Sequence, residues 1–199
     1  MRPMVAFAVI AMAFCANSAV AQTSSVRIAG VIEGLEGQTL SVKSTDGEEF
    51  SVLLPPEVRI MALTNKSLSD IKPGDFVGSA AVADANGKLH AQEVHILPES
   101  MRGSGEGHRP MAGPQQSMTN GTVAEVVAAP DGRSLKLQYP GGQQEIDVSP
   151  DVRVVEIIAG DLSLLKPGAA VAVFAAKAAD GSLTARSVQA EKDGVKPLM

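Results

Sequence analysis

The chain has 199 residues, of which 45% are hydrophobic and only 3% aromatic, and a formal net charge of −5. An acidic balance gives no attraction to a phosphate backbone, and so few rings make no base-stacking platform, so nucleic-acid binding is excluded from the expected functions. The single cysteine, Cys15, lies too early in the chain to support a disulfide framework or a sulfur-based metal site.

Residues 1–21 have the form of a secretory signal peptide. Arg2 is the positive start, Met4 to Phe14 is an uncharged apolar run, and Ala19-Val20-Ala21 is an A-x-A cleavage site before Gln22. The apolar run is shorter than the roughly 20 residues of a permanent bilayer-spanning helix. Lipoprotein processing at Cys15 is the lesser alternative, and the bulky Phe14 argues against it. Removal of the leader leaves 16 basic residues against 22 acidic, a net of −6, with no cysteine. The expected mature chain is periplasmic or secreted, lacks disulfides and has no transmembrane segment.

Short alternating runs separated by turn residues follow. Val26 to Glu33, Thr39 to Ser44 and Phe50 to Leu54 read as strands, joined by turns at Gly34–Gly37 and Asp46-Gly47 and ended by Pro55-Pro56. Val58 to Leu63 reads as a strand and Ser67 to Ile71 as one helical turn. Lys72-Pro73-Gly74 is a tight turn, and the strands Phe76–Ala83 and Lys88–Leu97 meet at Asn86-Gly87. The plan then recurs. Residues 56–96 and 150–190 align without a gap at an offset of 94. The matches are turn and core residues: Pro56, Val58, Arg59, Leu68, Lys72, Pro73, Gly74, Val77, Gly87, Leu89, Ala91 and Val94 return as Pro150, Val152, Arg153, Leu162, Lys166, Pro167, Gly168, Val171, Gly181, Leu183, Ala185 and Val188.

In each closing strand the apolar parity breaks. Leu89 and Ala91 share one parity and Val94 and Ile96 the other, and repeat two does the same. A β-bulge near Gln92-Glu93, and another near Arg186-Ser187, restores one core face and supplies the bend that closes a small barrel. The expected fold is all-β: two tandem small OB-like β-barrels, each of five to six short strands. The alternative is a two-sheet sandwich with one sheet per repeat. The expected organisation is a signal peptide over 1–21, repeat one over 26–97, a flexible Gly/Pro-rich linker over 98–117, repeat two over 118–191 and a loose tail over 192–199.

The run Ile71-Lys72-Pro73-Gly74-x-x-Val77, followed by Asn86-Gly87-x-Leu89-x-Ala91-x-x-Val94, resembles a bacterial exported domain-of-unknown-function family of small OB-like barrel repeats. Its second copy runs from Leu165 to Gly168 and from Asp180 to Val188. The resemblance implies an envelope location and no catalytic activity, and it carries no functional residue.

The residues themselves offer no catalytic motif: no Gly-x-Ser-x-Gly elbow, no His-Glu-x-x-His, no phosphate-binding loop. The expected function is that of a non-catalytic binding or scaffold protein whose partner is an envelope protein or glycan. The alternative is an envelope metal-binding accessory protein. For it, His90, Glu93, His95, Glu106 and His108 supply imidazole and carboxylate ligands for a transition metal. Met101, Met111 and Met118 are thioethers of the kind that bind Cu(I), although unpatterned. Glu33 and Glu125 are read as acids at matching positions of the two first strands. Arg59 and Arg153 are read as structural.

Overall fold

The computed structural model describes residues 24–111, 113–129 and 132–198. The leader expected over 1–21 and the Pro130-Asp131 part of the first turn of repeat two lie outside the described residues. Among the described residues thirteen strands carry the fold: β1 (Ser24–Glu36), β2 (Thr39–Ser44), β3 (Glu49–Leu53), β4 (Arg59–Lys66), β5 (Phe76–Ala83), β6 (Leu89–Leu97), β7 (Gly107–Pro110), β8 (Gln116–Ala129), β9 (Gly132–Tyr139), β10 (Gly142–Val148), β11 (Arg153–Ala159), β12 (Ala170–Lys177) and β13 (Leu183–Ala190). The sequence alternation causes them. In β2, Leu40 and Val42 are buried while Thr39 and Lys43 are exposed. Asp46-Gly47 turns the chain back because Gly47 takes φ +86°, and its N–H reaches Ser44 O at 3.0 Å.

Strands β5, β6, β8, β9 and β10 close into a five-strand barrel. β8 lies between β5 and β9, and β10 follows β9. β10 then returns to β6 through Ile146↔Leu89 and Asp147↔His90. The other strands lie outside this barrel. Among them, β2, β1, β12 and β13 are consecutive neighbours, and β3 pairs both β2 and β13, the latter through Leu183↔Val52 and Thr184↔Leu53.

The tandem expectation, one repeat per barrel, is corrected here. The closed barrel takes β5 and β6 from repeat one and β8, β9 and β10 from repeat two. The outer ladder takes the complementary strands. The cores follow the same exchange. Ile71, Val77, Leu89 and Val94 pack with Val123, Leu135, Leu137 and Ile146. Ile28, Ile32, Leu40 and Val52 pack with Val171, Val173 and Val188. The sandwich alternative, with one sheet per repeat, fails as well, because strands of both repeats belong to one hydrogen-bonded sheet, twelve along a single path and β7 beside β8.

The physical reason lies in β4 and β11. A strand of eight residues is about 26 Å long at the usual rise, which takes the chain from one ladder to the other instead of back onto its own. β4 pairs antiparallel with β11, and Leu63 faces Ile157. Those two residues are equivalents, being 94 apart, so a pseudo-twofold axis passes through the pair. Around the axis Leu63, Val155 and Ile157 form a small third core, flanked by Met101 and Val195, which are again 94 apart.

The Lys-Pro-Gly turn is repeated because it stitches the exchange. Gly74 N–H donates to Val123 O, and Gly168 N–H to Ile32 O, both at 2.8 Å. Each turn thereby fastens its own repeat to the first strand of the other. The expected bulges are present. Ala80 faces Glu93 and Ala81 faces Ala91, so Gln92 is the extra residue. Phe174 faces Ser187 and Ala175 faces Ala185, so Arg186 is the extra residue in β13.

Candidate functional site

The Gln92 bulge places Glu93 on the outward side of β6, yet β11 runs parallel beside it with Arg153 opposite Glu93. Glu93 is only 2% exposed. Arg153 Nη1 donates to Glu93 Oε2 at 2.9 Å, and His95 Nε2 is hydrogen-bonded to Oε1. Burial alone would raise the carboxyl pKa, but His95 and Arg153 together outweigh it and hold the group below its ordinary value. Both carboxylate oxygens are therefore engaged, and the group is a clamp between β6 and β11. The equivalent junction on the other side of the axis, Arg59 beside Ser187, keeps the arginine and lacks the acid. The reading of Arg153 as structural fits this geometry.

The five expected metal ligands do not come together as one set. Glu93 and His95 are in contact. His90 Nε2 lies 3.3 Å from Asp84 Oδ2, at the β5–β6 hairpin end. Asp84 is held below the usual carboxylate range, first by the Lys88 N–H and then by that of Asn86. His108, on β7, has Nδ1 2.9 Å from Thr119 Oγ1. Glu106 lies near the Arg102 guanidinium, whose bonded partner is Glu99. Among the described residues no three His, Asp or Glu side chains are grouped to hold a metal ion. Of the thioethers, Met101 packs at the axis and Met111 is exposed. Glu33 and Glu125 are also not equivalents. Glu33 is the extra residue of a bulge in β1, whereas in β8 that place is Ala124, one position before Glu125.

The segments expected to be loose carry structure. Residues 98–117 hold a short 3-10 turn over Glu99–Met101, strand β7 and the start of β8. Met101 is drawn to the axis core, and Arg102 donates to Gly74 O and Thr122 Oγ1. In the tail, Pro197 is buried, Val195 packs at the axis, and Arg153 and Arg27 donate to the carbonyls of Lys196 and Leu198. Neither segment has an apolar period, so only partners far along the chain could reveal its place.

Two features escaped the sequence reading. Ser79, Ser117 and Thr119 are buried, and the register gives them the parity of the core residues Val77 and Val123. Ser79 Oγ and Ser117 Oγ have no hydrogen-bond partner among the described residues. The second feature is a surface groove of about 260 Å³ lined by Arg27, Ile28, Ala29, Ser44, Thr45, Asp46, Glu48 and Phe50. Its acids stand at a turn whose counterpart is Pro140-Gly141-Gly142. A residue-by-residue comparison of the two turns was the signal for it.

Among the described residues no helix is long and apolar enough to cross a membrane. No family model, curated protein or solved structure matches the chain.

Proposed function

We propose that the protein is a non-catalytic binding or scaffold protein of the bacterial envelope, exported to the periplasm or beyond, with a protein or glycan as partner. One observation carries the reading: the groups with most chemical potential are engaged in holding the fold. Glu93 is held by Arg153 and His95, His90 by Asp84 and His108 by Thr119. Asp70, Asp84, Asp161 and Asp180 accept backbone N–H groups at turns. What remains to act is surface, namely strand edges and the grooves beside them.

On this reading both ladders are OB-like barrels built by strand exchange. The order β1-β2-β3-β13-β12, with β3 and β13 parallel, supports it, as does the same plan in β8-β9-β10-β6-β5. Small barrels of this kind bind through loops and one exposed face.

The test uses the full chain in bacterial cells. Photo-crosslinking side chains are placed singly at the exposed positions Leu53, Val127 and Leu162 and at Asp46. A discrete envelope adduct from at least one position, with the mature N terminus at Gln22 in the periplasmic fraction, is the expected result. Retention in the cytoplasm, or no adduct from any position, sinks the reading.

A further inference from the structure

β8 has a strand on each edge along its first half, and β1 does not. β8 pairs with β5 over residues 116–122, and on its other edge β7 covers residues 117–120 before β9 takes over at Thr122. β1 pairs with β12 over residues 24–31, but β2 joins it only at Gly30. The two first strands are equivalent at an offset of 91. Val31 faces Ala170 and Thr122 faces Phe76, and Ala170 and Phe76 are themselves 94 apart. The β8 edge under β7 is thus matched by residues 26–29 of β1, and no strand lies there among the described residues.

The hydrogen-bond phase says which groups are open. Ala29 O accepts from Thr45 N–H at 3.0 Å, on the β2 side. Successive residues alternate direction, so the N–H and C=O of Arg27 and Ser25 point the same way. In β8 the same phase sends Gln116 O to Met111 N–H, at 2.9 Å. The groove of about 260 Å³ lies along this open edge. Asp46 and Glu48 at its rim are exposed and form no ion pair among the described residues. The Arg27 guanidinium turns away, over the Phe174 ring at 5.9 Å and toward Leu198 O.

We infer that the open edge of β1 is a docking site for an extended, basic peptide segment of a partner protein, which adds as an antiparallel strand in the place β7 occupies on β8. Main-chain hydrogen bonds give such a strand its affinity and the rim acids select its charge. The net charge of −5 acts in the same direction. β7 shows what the equivalent edge of β8 accepts: four residues, Gly-His-Arg-Pro, of which Arg109 is basic and His108 bonds to Thr119. The inference rests on the binding-protein reading and names its site and partner class.

The probe is an amidated octapeptide of alternating lysine and valine carrying fluorescein at its N terminus, into which the full mature chain is titrated with fluorescence anisotropy as the readout. Binding at about 10–100 μM is expected for so small a contact. The glutamate–valine counterpart is expected to bind at least tenfold more weakly. N-methylation of alternate peptide amides is expected to remove binding. Amide hydrogen exchange at Ser25 and Arg27 should slow at least tenfold in the complex. Ser25→Pro deletes an N–H that faces the open edge, where proline is tolerated, and should abolish binding while leaving the circular dichroism spectrum unchanged. Glu48→Lys, on an exposed turn, should reverse the charge preference. Charge-indifferent binding overturns the inference, as does binding insensitive to N-methylation or to Ser25→Pro. So does a dimer of the chain that Ser25→Pro dissociates, since a second copy would then be the occupant. An envelope adduct at Leu53 or Leu162 without peptide binding leaves the function standing and removes this site.

Discussion

At the residue scale the departures from the duplication say most. Ser79, Ser117 and Thr119 stand where the other ladder has Val173, Val26 and Ile28, by the offsets of 94 and 91. A buried hydroxyl without a partner destabilises, so Ser79→Ala is expected to raise stability by about 1 kcal/mol in urea unfolding. Unchanged or lower stability would mean the hydroxyl has found a partner. Glu93 is the opposite case, a buried acid with both oxygens bonded. Arg153→Ala leaves it with His95 alone. Because the arginine is itself one-third exposed, the loss is expected at about 2 kcal/mol, below the range for fully buried pairs. The folded-state pKa of Glu93 is lowered from 4.5. Its contribution is therefore complete above the unfolded value and is lost as pH falls through the folded one. Glu93→Gln should flatten the fall in stability below about pH 4.5, and a variant with the parental acid profile would contradict the clamp. The sequence flagged Glu93 and His95 for a metal. It could not show Arg153, 60 residues away, which turns the same groups into a brace.

At the scale of elements, β1 and β8 are the longest strands, with 13 and 14 residues, because β1 passes from β12 to β2 and β8 from β5 to β9 along its length. Gly30 and Gly121 sit where each strand passes from one partner to the next. A Cβ on Gly30 would lie 2.1 Å from Lys43 O, and one on Gly121 2.6 Å from Gln138 O. Neither position is a turn, so the glycines serve close backbone approach. Gly30→Ala is expected to cost about 2 kcal/mol or more through the forced shift of β2. Gly34→Ala, where no atom lies within 4 Å, should stay within about 0.5 kcal/mol. Equal losses from the two in chemical denaturation would refute the close-approach account. Most strands were legible from alternation and turn glycines, and the two closing-strand bulges from broken parity, while those of β1 and β8 were not. β7 was not, since Gly-His-Arg-Pro has no apolar period and exists as a strand only because β8 offers an edge.

At the scale of the whole molecule, strand exchange makes the repeats interdependent. Each core draws on both halves, so neither repeat can bury its apolar face alone. The full chain is expected to unfold in one cooperative transition. Residues 22–117 expressed alone should be unfolded or form an exchanged homodimer, and should refold with residues 118–199 into a one-to-one complex. Light scattering with circular dichroism decides this, and a folded monomer of one repeat would break the account.

The sequence by itself determined the all-β class, the duplication, the hairpins, the bulged closing strands and the inward-facing residues. These follow from local chemistry: period-two burial, φ freedom at glycine and proline's missing N–H. Which repeat each strand would join was decided only by the tertiary structure. Apart from β7 on β8, the ladder pairings recur in both halves of the molecule, so a strand meets similar partner chemistry in its own repeat and in the other. The choice falls to the extended course of β4 and β11 and to the axis they form at Leu63 and Ile157. The fold leaves β7 on one first strand and, among the described residues, an open edge on the other, an asymmetry that the turn and core residues shared by the two repeats do not display.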